Sequence, residues 1–246
     1  MRVEDIKGNL LTSMAEWARL YDSPRSSHQW KEHRSAYSVA EFILNRNGAE
    51  RLLVRVAEAV GEAVEFDRVV PEYEVRFDRY GRGRMHDLAI FGKTATGKTL
   101  FVGVEAKVDE TFGAPVRDAY LAAKTKQLAG KATNAPERIE ALLKIHFPKP
   151  DVSMFDVRYQ LLYATAGTMG AGADLSVLFV VVFKTSLYSE ALSAANYHDY
   201  VEFLTKLRAE TISLSGEEAH GHRLALQGKE LICLHEHFDL KELKHN

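Results

Sequence analysis

Two segments decide the fold of this chain: MHDLAIF at residues 85–91 and TLFVGVEAKV at residues 99–108. Both alternate in polarity with a period of two, which predicts two strands of a hairpin. In the second strand the even positions are apolar, so Glu105 and Lys107 share the opposite face. An antiparallel register with its loop near residues 95–96 brings Asp87 within about one residue of Glu105.

Two carboxylates that face each other across a hairpin repel, and such a pair destabilises a sheet by up to ~1 kcal/mol. A hard cation bound by both would reverse the sign of that interaction. Lys107 lies two residues beyond Glu105 on the same face and would point at whatever the cation holds. We therefore predict a divalent metal site built on Asp87 and Glu105.

Asp87 and the triplet Glu105-Ala106-Lys107 resemble the motif of the PD-(D/E)xK phosphodiesterases, the restriction-endonuclease-like superfamily. His86 stands where that motif usually has proline. The resemblance implies Mg²⁺ or Mn²⁺ held by Asp87, Glu105 and the backbone carbonyl of Ala106. It also implies that Lys107 positions the attacking water or stabilises negative charge on the phosphate.

Glu50 is a further candidate metal ligand, because in this superfamily the helix before the sheet often supplies another acidic group. A helix is predicted to begin after Asn47, immediately before the first strand. Glu50 lies three residues after Asn47, so its alternative role is that of a capping-box carboxylate.

Four polar side chains are candidates for nucleic-acid contacts. Arg79, Arg82 and Arg84 surround Tyr80 in a glycine-containing turn, a composition that suits phosphate binding. A solvated hairpin turn is the alternative interpretation. Gln160 lies early in a predicted helix at a position where superfamily members often carry a glutamine or basic residue near the phosphate.

The loop between the two strands also satisfies a second pattern. Residues 92–99, GKTATGKT, match the phosphate-binding GxxxxGK[ST] signature and follow a strand. A phosphate-binding loop must lead into a helix, whereas residues 100–108 alternate like a strand. A nucleotide-binding P-loop is therefore the less favoured alternative.

The predicted order of elements is helix, three strands, helix, strand. This order resembles the αβββαβ core of the same superfamily and implies an α/β fold with a central mixed sheet flanked by helices. The core is predicted over about 47–108 and 155–184, with a helical insertion at about 114–150 and extra helices at both termini. Residues 1–246 are predicted to form a single domain.

Bulk composition narrows the class of protein. The chain has 246 residues, 46% hydrophobic content, one cysteine and a net charge of −2. One cysteine excludes an internal disulfide, and the start of the chain has no apolar signal segment. These features predict a cytoplasmic protein without a membrane span, and any nucleic-acid contact must come from local basic patches.

The sequence therefore predicts a Mg²⁺- or Mn²⁺-dependent nuclease, with DNA as the expected substrate. The alternative from another class is a nuclease-like fold without activity that binds nucleic acid or a protein. Monomer and homodimer both stay open. A group of histidines near the end of the chain, His220, His222, His235 and His237, lacks the spacing of a zinc motif.

Overall fold

The computed structural model describes residues 1–23, 27–149, 151–216 and 219–240. The strands are β1 (Arg2–Val3), β2 (Val64–Val75), β3 (Arg84–Thr94), β4 (Thr99–Lys107), β5 (Leu175–Lys184), β6 (Glu210–Ile212), β7 (Ala219–Leu226) and β8 (Lys229–Asp239). The helices are α1 (Met14–Ala18), α2 (Ser35–Asn45), α3 (Gly48–Val60), α4 (Val116–Leu128), α5 (Ala135–His146), α6 (Tyr159–Gly170) and α7 (Glu190–Lys206). Short 3₁₀ turns cover Arg19–Tyr21 and Val152–Asp156.

All of these strands join one mixed sheet in the order β1-β2-β3-β4-β5-β8-β7-β6. Strands β2, β3 and β4 pair antiparallel, whereas β4, β5 and β8 run parallel to one another. The parallel step from β4 to β5 needs a crossover, which α4, α5 and α6 provide. The carboxyl ends of β4, β5 and β8 therefore lie at the same edge of the sheet.

Two hydrophobic layers cover the two faces of the sheet. On one face, α1, α2 and α3 pack over the even-numbered residues of β3 and β4, such as Ile90 and Val102. On the other face, α5, α6 and α7 pack over residues such as Val180 and Cys233. The nearly uninterrupted apolar sequence of β5 follows from this arrangement, because a central parallel strand is covered on both sides.

The predicted mixed α/β architecture is confirmed, and the element order from α3 to β5 is the one expected from the sequence. Several predicted bounds were wrong. The sequence pattern predicts a first core strand at 69–77, but the strand is Val64–Val75. It predicts a last strand at 230–235, but that strand extends to Asp239. The hairpin partner β7 was not predicted, and Pro150, the end of the predicted insertion, lies outside the described residues.

The sequence pattern predicts a helix over 157–166 that Gly167 ends, yet α6 continues to Gly170. Gly167 serves the packing of this helix and does not terminate it. A Cβ atom at Gly167 would lie 2.5 Å from the Cβ of Arg84, so the glycine lets the helix approach β3 closely.

Within the part of the chain that the structure describes, every helix is too short or too polar to cross a bilayer.

Candidate functional site

The candidate site lies at the carboxyl end of β4, against the first residues of β3. The ladder of this hairpin ends at the pair of Leu88 and Val104, the residues next to Asp87 and Glu105. The Asp87 Oδ2 atom accepts a hydrogen bond of 2.7 Å from the backbone N–H of Ala106. The structure thus brings together the two carboxylates that the sequence singled out.

Glu105 is buried among donors from this chain, with its side chain 1% exposed. Arg84 binds it through two parallel contacts, Nε to Oε1 at 3.0 Å and Nη2 to Oε2. His86 Nδ1 lies 3.3 Å from Oε1, and Gln160 Nε2 donates to Oε2 at 3.0 Å. Burial alone would raise the pKa of Glu105, but the charge of Arg84 and the contact with His86 hold it well below its usual value.

Two glycines create the space for this arrangement. A Cβ at Gly103 would lie 2.7 Å from both the His86 ring and the Thr168 hydroxyl, and Gly167 makes room for Arg84 as described above. The period of two in 85–91 predicts that His86 lies on the face of β3 opposite Asp87 and away from Glu105. That prediction is wrong, since His86 lies against Glu105 and its ring centroid is 5.8 Å from that of Phe101.

The ladder between β2 and β3 is interrupted beside this site. It pairs Pro71 with Leu88 and Tyr73 with His86, and it skips the intervening pair of Glu72 and Asp87. Glu72 has φ of 49°, a left-handed conformation that residues other than glycine seldom adopt. Such strained residues concentrate at functional sites.

Glu72 adds a third carboxylate to the cluster. It accepts a hydrogen bond of 2.6 Å from the hydroxyl of Tyr21, which is itself buried below the end of α1. Burial raises the pKa of Glu72, with a further contribution from the charge of Glu105. Burial and the charges of Glu105 and Glu72 raise the pKa of Asp87 to about 7. The three carboxylates therefore interact as one cluster.

Lys107 completes the set that the motif predicted. It is 5% exposed, its Nζ donates to Gln160 Oε1 at 3.3 Å, and it lies 5.2 Å from the ring centroid of Phe112. Gln160 thus bridges Lys107 and Glu105 from the first turn of α6. We call Glu72, Asp87, Glu105, Arg84, Lys107 and Gln160 the acidic cluster.

The other predicted site residues lie outside this cluster. Arg79 and Arg82 are exposed on the β2–β3 connection. That connection is held in place, because Arg138 binds Asp78 at 2.9 Å and the Tyr163 hydroxyl donates to the carbonyl of Arg82 at 2.8 Å. The solvated-turn alternative therefore describes these two side chains but not their backbone.

Arg84 and Glu50 also differ from expectation. Arg84 is turned inward onto Glu105 and does not project with Arg79 and Arg82. Glu50 is exposed in the first turn of α3, and it contacts none of the acidic cluster among the described residues. Its capping-box alternative also fails, since Asn47 adopts a left-handed conformation and its side chain makes no capping hydrogen bond.

The donor chemistry of the cluster fits a hard divalent cation. Asp87 and Glu105 supply carboxylate oxygens, and the Ala106 carbonyl lies on the same strand edge as the N–H that contacts Asp87. A cation would also relieve the repulsion that raises the pKa of Asp87. As the side chains stand, no three His, Cys, Asp or Glu residues of the described ranges converge on a metal position, and Glu105 is paired with Arg84.

The loop at residues 94–99 is a turn between strands, with Gly97 at φ of 84°. Thr99 begins β4 and not a helix. A phosphate-binding P-loop needs the N–H groups of a helix start at this point, so the alternative P-loop interpretation was wrong.

A second polar group lies on the same face of the sheet, under α7. His220 pairs across the strands with His235, and His222 pairs with Cys233. His235 is 1% exposed, and neither of its ring nitrogens has a hydrogen-bond partner among the described residues. Burial, with the neighbouring histidines, lowers its pKa to about 3. We call His220, His222, His235 and His237 the histidine cluster.

Sequence reasoning missed Glu72, Tyr21 and the inward position of Arg84. No local sequence pattern indicated that Glu72 belongs to the site, because it occupies an ordinary polar position of an alternating strand. The glycines at 103 and 167 were the available signal for Arg84 and His86, because a glycine inside a strand or helix often marks a close approach.

The family model described as a domain of unknown function (DUF6946) matches residues 10–234. No curated protein and no solved structure matches the chain.

Proposed function

This chain belongs to the DUF6946 family, and we propose that it is a metal-dependent phosphodiesterase that hydrolyses nucleic acid, with DNA as the expected substrate. One observation carries the proposal: Asp87 and Glu105 meet at the end of a hairpin, with Lys107 beside them. A pair of like charges in this position is costly without a cation, so its presence favours a metal site over a structural role.

The order of elements supports the same proposal. Helix α3, strands β2 to β4, helix α6 and strand β5 follow the αβββαβ order of the restriction-endonuclease-like core. Strands β2, β3 and β4 pair antiparallel, and β4 and β5 pair parallel, as a crossover that includes α6 requires.

In the proposed reaction Asp87, Glu105 and the Ala106 carbonyl would hold Mg²⁺ or Mn²⁺. The cation would supply Lewis acidity toward a phosphate oxygen and toward water. Lys107, oriented by Gln160, stabilises the negative charge that develops on the phosphate. Gln160 lies in the first turn of α6, where the N-terminal end of the helix dipole also favours an anion.

Arg84 holds the acidic cluster together while no cation is bound. It neutralises Glu105 in the buried interior, where an unpaired carboxylate would be costly. With a cation held by Glu105, the guanidinium of Arg84 would be available to bind a phosphate. Arg79 and Arg82, exposed on the adjoining connection, extend the cationic surface for the nucleic-acid backbone.

A cleavage assay tests the proposal. Supercoiled plasmid is incubated with the protein and Mn²⁺ or Mg²⁺, with a chelator as control. We expect nicking or linearisation that the chelator abolishes. We also expect Asp87→Asn and Glu105→Gln to lower the rate by at least 10²-fold, since each removes a ligand charge.

Lys107→Ala distinguishes the role of the lysine from that of the ligands. It should lower cleavage strongly but leave Mn²⁺ affinity, measured by calorimetry, close to that of the wild type. Lys93→Ala is the matched control, because Lys93 is an exposed lysine on the neighbouring strand that pairs with Glu65. Wild-type cleavage by Lys107→Ala would refute the assignment.

A second function is favoured by one observation, the saturation of Glu105. Arg84, His86 and Gln160 already contact both of its oxygens. If Arg84 stays bound to Glu105 in the presence of a divalent cation, the chain is a nuclease-like module that binds nucleic acid without cutting it. DNA binding with no cleavage in any divalent metal, and no Mn²⁺ binding dependent on Asp87, would identify that module.

A further inference from the structure

A cavity of ≈ 630 Å³ lies away from the acidic cluster and shares none of its residues. The ends of α5 and α7, the turn between β7 and β8, and Met154 enclose it. Its volume is in the range of sites that bind small organic ligands.

The charged lining of this cavity is entirely cationic. Lys144, Lys149, Lys206 and Arg208 line it, and no carboxylate does. Lys206 pairs with Glu202 at 3.3 Å, while the other three cations form no ion pair with any described residue. Lys144 and Lys206 lie in the last turns of helices, where cations offset the helix dipole. Lys149 and Arg208 lie beyond the helix ends.

The backbone gives a second, independent indication. Among the described residues, five other than glycine have positive φ, and two of these, Arg208 and Gln227, line this cavity. Each stands where the local geometry favours a smaller residue. Each of these two residues therefore carries a conformational cost of about 1 kcal/mol.

Arg208 occupies the left-handed position after α7. Its N–H bonds to the Thr205 carbonyl and the N–H of Ala209 bonds to the Leu204 carbonyl, both at 3.0 Å. This is the Schellman pattern, in which glycine is the usual residue at the left-handed position.

Gln227 is the first residue of a two-residue turn, since Leu226 pairs with Lys229. Gln227 and Gly228 have φ of 51° and 75°. A type I′ hairpin turn of this kind favours asparagine at the first position. Arg208 and Gln227 thus each place a long polar side chain in the lining of the cavity.

Apart from His146 and Gln227 the rest of the lining is apolar, with Phe147, Met154, Leu207 and Leu226 among its residues. A cationic rim over an apolar wall suits a ligand that joins a phosphate to a flat, weakly polar group. We propose that this cavity binds a nucleoside phosphate. A concave cavity of this size favours a small molecule over an extended nucleic-acid strand.

The proposal is tested by calorimetric titration of the full chain with ATP, AMP, adenosine and inorganic phosphate, in the presence of EDTA. The chelator removes any contribution from a metal at the acidic cluster. We expect ATP and AMP to bind, and adenosine and phosphate alone to bind at least tenfold more weakly.

Three variants separate the effect on ligand binding from the effect on folding stability. Arg208→Gly and Gln227→Asn should raise the melting temperature, because each matches the backbone better. Arg208→Gly and Lys149→Ala should weaken ATP binding at least tenfold. His33→Gly is the matched control: it also removes a residue with positive φ, at 68°, but outside this cavity, so ATP affinity should not change.

Absence of ATP binding to the wild type would overturn the proposal, as would undiminished binding by Arg208→Gly. Equal affinity for inorganic phosphate would overturn the nucleoside assignment. Tighter binding of a short single-stranded oligonucleotide, lost in the same variants, would replace the small ligand by nucleic acid. Asp87→Asn should leave ATP binding unchanged whether or not the chain is a nuclease.

Discussion

The acidic cluster and the histidine cluster lie on the same face of one sheet, two strands apart. The register runs from Glu105 through Val180 to His235, and from Lys107 through Val182 to His237. In the acidic cluster, Glu105 stays ionised because Arg84 and Gln160 donate hydrogen bonds to its carboxylate. In the histidine cluster, burial under α7 keeps His235 neutral and leaves its nitrogens without described partners.

The difference shows what each environment can be used for. A buried charge persists only when a countercharge and hydrogen bonds surround it, so the acidic cluster must exchange one countercharge for another in order to bind a cation. A buried neutral ring needs no countercharge, but protonation costs it the full free energy of desolvation. The acidic cluster is therefore expected to respond to metal and the histidine cluster to acid.

The largest expected effect comes from breaking the pair of Arg84 and Glu105. Arg84→Met should lower the free energy of unfolding by about 3 to 5 kcal/mol, because it leaves a buried carboxylate without a countercharge. Urea denaturation followed by circular dichroism measures it. The double variant Arg84→Met with Glu105→Leu should recover most of the loss. A single variant that costs under ~1 kcal/mol would show that the pair contributes little.

An intermediate effect concerns pH and His235. The pKa of His235 is lowered to about 3 in the fold, against an ordinary value of 6.5. Below pH 6.5 His235 becomes protonated in the unfolded chain but stays neutral in the folded chain. The wild type therefore loses stability as pH falls. His235→Phe lacks this loss and should gain about 1 kcal/mol relative to wild type between pH 6.5 and 5.5.

The control for this prediction is His28→Gln, at an exposed position. It should follow the wild type at each pH. A difference between His235→Phe and wild type that stays constant from pH 7.5 to 5.5 would contradict a buried neutral histidine. Urea unfolding midpoints across that range provide the measurement.

A third expected effect is that of Asp87, and its pH dependence has the opposite sign. Its pKa is raised to about 7 from an ordinary value near 3.8, so ionisation of the folded chain becomes progressively more costly as pH rises from 4 to 7. Without metal, Asp87→Asn should therefore stabilise the chain at pH 8 by about 1 to 3 kcal/mol and by little at pH 4. Thermal unfolding with a chelator measures it, and excess Mn²⁺ should reverse the order at pH 8.

Much of the fold was predictable because its signals are local. The alternation at residues 99–108 excluded a helix after the GKTATGKT loop, and the apolar run of β5 indicated a strand covered on both faces. The hairpin register followed from the loop position and brought Asp87 to Glu105. Hairpin β7–β8 was missed because only its second strand has a clear apolar pattern.

The sequence by itself determined the order of α3, β2, β3, β4, α6 and β5 and the meeting of Asp87, Glu105 and Lys107, because strand periodicity and a short loop are properties of neighbouring residues. Only the tertiary structure decided that Glu72 and Tyr21 join that group and that Arg84 turns inward. Those positions depend on a skipped ladder pair in β2 and on the space beside Gly103 and Gly167, where segments far apart in the chain come into contact. Burial at those contacts sets the pKa values, and no local pattern encodes burial.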